Sequence, residues 1–358
     1  MKNVAEAPCI RVEKICGEKA IVVAKRIGLL NRDLRVQREQ DYLYVPLIRK
    51  PQETDLKELE ANLPRFEVLQ REFFELVRRP PQFVDLLSGE LPSHLFASLP
   101  HAVDLVGEIV VVEIPPELQK YKTIIGHAIL ASNKRLSTVL AKAGAVRGEY
   151  RLREFETIAG VNKTATVHKE HGCVFRVDLA KAYFSPRLSY EHNRVASLVN
   201  ENETVLDMFA GVGPFSILIA KKHKNVHVYA TEVNPEAFKL LKKNILVNRV
   251  ATKIAPLLGD ARQIAQEKLK PTIDRVIMNL PEKAIEYVDV ACQVIKPNGG
   301  IMHYYEFTST TYPLETVKTR LEEAVKQTNR KVEKILNSKI VRGVAPFKWQ
   351  VVVDARIK

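Results

Sequence analysis

Three carboxylates stand at the ends of short apolar runs, at intervals that suit the recognition of a nucleoside. Asp207 closes the run in VLDMFAGVGPFS (205–216), and Gly211, Gly213 and Pro214 follow it. Glycines at such a strand end let backbone approach a ligand closely, and proline pre-sets the first turn of the next helix. About 20 residues beyond that turn, Glu232 ends the run in ATEVNPEA, where a carboxylate can accept both hydroxyls of a ribose. Asn234 then caps a helix that Pro235 starts. A third run ends in GDAR, and Asp260 there can accept from an adenine amino group. The spacing lacks the third glycine of a dinucleotide fingerprint and the Lys-Ser/Thr pair of a phosphate loop. The chemistry implied is a grip on an adenosine without phosphate. A fourth run ends in MNLPEKA, which sets Asn279, Leu280 and Pro281 at the lip of the same pocket.

Such positions need elements to hold them. From Cys173 onward, apolar runs alternate with amphipathic stretches, the rhythm of a parallel sheet covered on both faces. The expected strands are TVLDMF, VHVYATEV, IAPLLGD, DRVIMNL, GIMHYYEF, SKIVRGVAP and WQVVVDARI. The last two leave no room for a crossover helix and should pair antiparallel. Residues 173–358 thus form one domain. Residues 96–172 read as a smaller unit: a strand in GEIVVVEI, a short helix opening over 124–129, the basic stretch RGEYRLREFETIAG, and a hairpin turned at Gly172. Residues 1–60 read as a small α/β unit, and 61–95 as a linker in which Pro80 and Pro81 forbid regular structure.

Composition narrows the class. At 358 residues the chain exceeds what one hydrophobic core organises. Its 55 Lys and Arg against 42 Asp and Glu give a net charge of +13, which attracts a polyanion, and nucleic acid is the commonest one in the cytoplasm. No apolar run approaches the roughly 18 residues of a membrane span, so a cytoplasmic protein without membrane contact is expected. Cys9, Cys16, Cys173 and Cys292 are scattered without zinc spacing, and no metal site is expected.

The glycine turn, the carboxylates at successive strand ends and the antiparallel final pair resemble the class I S-adenosylmethionine-dependent methyltransferases. Together with FSPRLSYEHNRVA (184–196), GEYR (148–151), NLP (279–281) and RGVAP (342–346), they look like the archaeal and eukaryotic tRNA guanosine-37 N1-methyltransferases, most like the archaeal branch. The resemblance covers nearly the whole chain. It implies an α/β fold: a Rossmann-like domain with a mostly parallel seven-stranded sheet and an antiparallel last strand, preceded by two smaller α/β or α+β domains. S-adenosyl-L-methionine is the implied cofactor, held by Asp207 near its ammonium and by Phe209, Gly211, Gly213, Glu232, Asn234, Asp260, Ala261 and Asn279.

The implied partner is tRNA, met by a monomer, and the implied product is guanosine 37 methylated at N1. Guanine N1 carries a proton at neutral pH, so a base must accept it while charge gathers on O6. The resemblance gives these roles to Glu191 and Arg151, with Asn279 orienting the base and Pro281 shaping the lip. A Glu191 merely paired with Arg187 or Arg194, one helical turn away, is the bland reading. Arg151, Arg187, Arg194, Arg342, Arg32 and Arg35 are the expected tRNA contacts. His192 departs from the arginine common in the family at that place. Two other activities fit the same pocket: aminocarboxypropyl transfer to a modified guanosine, and C-methylation of a tricyclic wyosine intermediate. A tRNA-binding protein without catalysis is the rival from another class.

Overall fold

Apolar spacing and chain punctuation set where each element begins. The computed structural model describes residues 4–75, 83–100, 102–144, 148 and 150–358. Pro80, Pro81 and Arg147 lie outside the described residues. The chain divides into two compact units, Met1–Pro81 and Gln82–Lys358.

In the first unit, β1 (Val4–Glu13), β2 (Gln37–Glu39), β3 (Tyr42–Pro46) and β4 (Glu67–Phe74) make an antiparallel sheet in the order β2-β3-β1-β4. Helix α1 (Gly17–Arg26) buries Ala20, Val23 and Ala24 at helical spacing, and α2 (Glu53–Asn62) starts on a reciprocal capping box of Gln52 and Asp55. This unit extends past residue 60, where the sequence suggests a linker. Strand β4 pairs with β1 from Val4↔Phe74 to Arg11↔Glu67. Its apolar alternation is weak because it is an edge strand in which Phe73 alone is fully buried.

The second half of the expected linker is also folded. Leu87, Leu91, Leu95 and Leu99 share one core with β6 (Ile109–Val112), α3 (Lys122–Ser132), β7 (Thr138–Lys142) and β8 (Phe155–Gly160). With β5 (Asp104–Val106), these strands form a four-stranded sheet in sequence order. The hairpin of β9 (Ala165–Glu170) and β10 (Cys173–Asp178) is a separate two-stranded sheet. Cys173, Phe175 and Val177 join the core of the following domain. The inner face of the hairpin thus packs with the elements that follow it.

The last domain contains α4 (Ser189–Leu198), β11 (Thr204–Asp207), α5 (Pro214–Lys222), β12 (His227–Glu232), α6 (Pro235–Val247), β13 (Ile254–Leu258) and α7 (Ala261–Lys268). It continues with β14 (Arg275–Met278), α8 (Val288–Val294), β15 (Gly300–Thr308), α9 (Pro313–Lys326), β16 (Val332–Ala345) and β17 (Lys348–Ile357). The sheet order is β13-β12-β11-β14-β15-β17-β16, parallel through β15 and antiparallel at β17. One face packs against α4, α5 and α6, the other against α7, α8 and α9. Both faces of β11, β14 and β15 are dry, which is why these strands read as unbroken apolar runs.

Candidate active site

The strand order reverses beside β11, and there the carboxyl ends of β11, β12, β13 and β14 open a cleft of about 360 Å³. Phe209, Gly211, Glu232, Asn234, Asp260, Ala261 and Asn279 line it, as the sequence suggests. This is the crevice in which open α/β sheets bind ligands. A more spacious cavity of about 920 Å³ lies against the β9–β10 hairpin, lined by His168, Lys169, Arg176 and Lys239. It holds none of the strand-end carboxylates.

Gly211, at φ +56°, turns its N–H onto Glu232 Oε2 at 2.7 Å, and a Cβ there would meet only the Tyr183 carbonyl at 3.7 Å. The space before its backbone is thus free for a ligand. Gly213 serves packing instead. It does not line the cleft, and a Cβ would stand 2.6 Å from Leu241 Cδ1. Asp207 is likewise withdrawn from the cleft lining. It is fully buried, with Oδ2 accepting from Ser216 at 2.6 Å and Oδ1 without a partner. Burial, with the neighbouring Glu232 charge adding to it, pushes its carboxyl up to about 6. Asp207 thus fastens the glycine turn to α5.

Glu232 receives N–H donors on both oxygens, from Gly211 and from Asn234 at 2.8 Å, and each oxygen keeps a lone pair for a hydroxyl. Burial raises its carboxyl above the ordinary carboxylate range despite those donors. Asp260 caps α7 through Oδ1 and accepts the Tyr287 hydroxyl on Oδ2 at 2.9 Å. Burial and that carboxylate push Tyr287 up to about 12. Its ring meets Phe209 edge to face at 5.1 Å. Phe209, Tyr287 and Ala261 together give this end of the cleft an apolar wall. These residues fit the adenosine part of S-adenosylmethionine.

A second cavity of about 340 Å³ adjoins the first, and Arg151, Tyr183 and Glu282 line both. Arg151 holds a left-handed φ of +56°, an uncommon conformation for a non-glycine residue. Its guanidinium stands over Tyr183 at 5.1 Å and Phe307 at 5.9 Å, donates to Glu282 at 3.4 Å, and leaves a buried Nε–H without a partner. Asn279 faces the cleft at the end of β14, and the Pro281 carbonyl accepts the Phe307 N–H at 3.0 Å, pinning the lip to β15. Pro281 itself is buried outside the cleft lining.

Glu191 does not line either cavity. Its carboxylate is 2% exposed; Arg194 Nε (2.9 Å) and the Tyr305 hydroxyl (3.0 Å) bond Oε2, and the Lys339 ammonium lies on Oε1. The pairing with Arg194 is the one that helical spacing offers. Arg194 reaches inward to Asp354 as well, so it is not free for a phosphate. Arg187 lines the second cavity but spends its donors on Asp104. Arg342 donates to Gln350, Ser185 and Tyr183. Arg32 and Arg35 are exposed on the first unit. His192 is buried, with Nδ1 2.7 Å from Glu170 and its ring edge-on to Phe215, so it anchors α4 rather than facing a ligand.

Sequence reasoning missed Tyr287, Tyr183, Phe307, Glu282 and Gln350. Tyr287 lies 27 residues from its partner Asp260, and no local spacing links the two. Glu282, next to the NLP stretch, was the one such residue with a signal, as a carboxylate at a strand end.

The TRM5/TYW2 methyltransferase domain matches residues 166–333, the TYW2 N-terminal domain 83–164, and the tRNA methyltransferase 5 N-terminal domain 9–55. The chain is 38% identical to the tRNA (guanine(37)-N(1))-methyltransferase Trm5b of Pyrococcus abyssi, over 92% of this chain and 93% of that one. It is 34% identical to a tRNA(Phe) (4-demethylwyosine(37)-C(7)) aminocarboxypropyltransferase of Pyrococcus horikoshii, over 77% of this chain and 96% of that one. The solved complex of aTrm5 and tRNALeu matches with a TM-score of 0.71 at 34% identity, over 98% of this chain and 99% of that one.

Proposed function

The chain belongs to the TRM5/TYW2 methyltransferase family, and from that premise we propose that it transfers the methyl group of S-adenosylmethionine to N1 of guanosine 37 in tRNA. The observation that carries this reading is that Arg151, Tyr183 and Glu282 line both cavities. They set the cleft of strand-end carboxylates beside a basic and aromatic pocket with room for an extruded base.

When bound, S-adenosylmethionine supplies an electrophilic sulfonium methyl. Gly211, Glu232, Asn234 and Asp260 hold and orient its nucleoside, while Phe209 and Tyr287 exclude water from the adenine. Asn279 and Arg151 position the guanine, and the unpartnered Nε–H of Arg151 offers O6 a charged donor as negative charge gathers there. Glu191 accepts the N1 proton. The partly exposed Lys339 holds Glu191 Oε1, so this role requires that ion pair to open toward the guanine. A second reading rests on position: Glu282 is the carboxylate that lines both cavities, and it competes for the acceptor role.

The protein acts as a monomer in the cytoplasm in this proposal, with Arg32 and Arg35 among its tRNA contacts. No helix among the described residues is long and apolar enough to cross a membrane. The match over residues 9–55 to the tRNA methyltransferase 5 N-terminal domain supports methyl over aminocarboxypropyl transfer. The test is single turnover with a guanosine-37 transcript, followed by mass spectrometry of the nucleoside. One added methyl on the base is expected, and an aminocarboxypropyl mass, or none, refutes the assignment.

A further inference from the structure

Behind the lip, buried Gln350 of β17 faces Asn279. Gln350 Nε2 donates to Asn279 Oδ1 at 3.2 Å, and Gln350 Oε1 accepts from Arg342 Nε at 2.9 Å. Gln350 is 1% exposed and stands opposite Arg342 in the β16–β17 register and opposite Phe307 in the β15–β17 register. Arg342 is fastened in turn by the Ser185 hydroxyl at 2.8 Å and the Tyr183 hydroxyl at 3.2 Å.

The chain of amides has one sense. A carboxamide has an accepting and a donating end and could face either way, but a guanidinium only donates. Arg342 therefore holds the oxygen of Gln350, which turns its NH2 toward Asn279 and engages the Asn279 oxygen. The Asn279 NH2 is the end left for the cleft.

We propose that Gln350, set by Arg342, is a positioning residue that makes Asn279 present a donor to the target base, so that the lip selects a purine with a carbonyl at position 6. This rests on the reading that Asn279 faces that base. Guanine O6 has two lone pairs, enough for Asn279 and Arg151 together. Adenine would bring its own N–H donors against both, leaving buried donors unpaired, and such mismatches discriminate strongly.

The test compares wild type with Gln350→Glu and Gln350→Met in single turnover on transcripts bearing guanosine, inosine or adenosine at 37. A carboxylate at 350 can only accept, so it turns Asn279 over; a methionine removes the constraint at similar volume. Wild type should methylate the guanosine and inosine transcripts, which share the O6 carbonyl. Gln350→Glu should lose at least about tenfold in rate on guanosine with tRNA affinity unchanged, and its guanosine-over-adenosine ratio should fall by at least about tenfold. Gln350→Met should shift that ratio in the same direction by less. A guanosine rate that falls with the ratio intact, in either variant, would mark Gln350 as merely structural and overturn the proposal. Asn279→Ala separates the two layers. If it is slow while both Gln350 variants match wild type, only the polarity inference fails; if it matches wild type, the role of Asn279 fails and the inference with it.

Discussion

At the scale of single residues, the carboxylates divide by what surrounds them. Glu191→Gln should slow single turnover by about 10²-fold or more with tRNA binding nearly unchanged, and Glu282→Gln should slow it far less. The reverse order would transfer the proton acceptor to Glu282. Glu232 is raised by burial in the free protein, and its anion is the form that accepts ribose hydroxyls. Cofactor affinity by calorimetry should therefore fall as pH drops, beginning above the pH at which an ordinary glutamate, near about 4.3, would act. Asp207 bears on stability. Its folded value of about 6 exceeds the unfolded one, so its contribution is complete below about 4 and is lost as pH rises through about 6. A shift of that size corresponds to roughly 3 kcal/mol, and urea unfolding of Asp207→Asn should be flatter than wild type across that window. The strand-end carboxylates were legible because helix signals and glycines flank them. Their orientation was not: Asp207 turns inward because Ser216, a turn into α5, offers a hydroxyl that sequence cannot place in space.

At the scale of elements, α4 is tied to the sheet by a buried polar chain. Arg275 bonds Glu203 and His303, His303 bonds Asp354, and Arg194 bridges Asp354 to Glu191. Arg275 only donates, so His303 Nε2 accepts and its Nδ1–H donates to Asp354, and burial lowers the imidazole so that it stays neutral. Although burial opposes it, His303 and Arg194 hold Asp354 well below the usual carboxylate range. Asp354→Ala leaves Arg194 and His303 without their acceptor and should cost about 3–5 kcal/mol in chemical unfolding. A cost under about 1 kcal/mol would show the chain to be incidental. The central strands of the last domain were readable as apolar runs, since β11, β14 and β15 are buried on both faces. Strand β4 was not, because as an edge it exposes most of its side chains. The segment around Leu87 to Leu99 was hidden for a different reason: its turns are too short for helical periodicity, although its leucines are buried.

At the scale of the whole molecule, a net charge of +13 suits a polyanionic partner, and each ion pair with a phosphate adds to the salt dependence of binding. Arg32, Arg35 and Arg38 are exposed on the first unit, away from any role in the cofactor cleft. Replacing all three by alanine should weaken tRNA binding and flatten its salt slope while leaving cofactor affinity unchanged. An unchanged slope would take the first unit's arginines out of the tRNA footprint. The sequence places its change of rhythm at Cys173 and its linker over 61–95, and the limits of the folded units needed the strand pairings. The central claim is that the two cavities lined in common by Arg151, Tyr183 and Glu282 bring a sulfonium methyl to N1 of guanosine 37. Transfer of labelled methyl from S-adenosylmethionine to paired transcripts tests it most directly. The account predicts 1-methylguanosine from the guanosine-37 transcript and only a trace of label in the adenosine-37 transcript; equal label in both, or label recovered on another nucleoside, would contradict it.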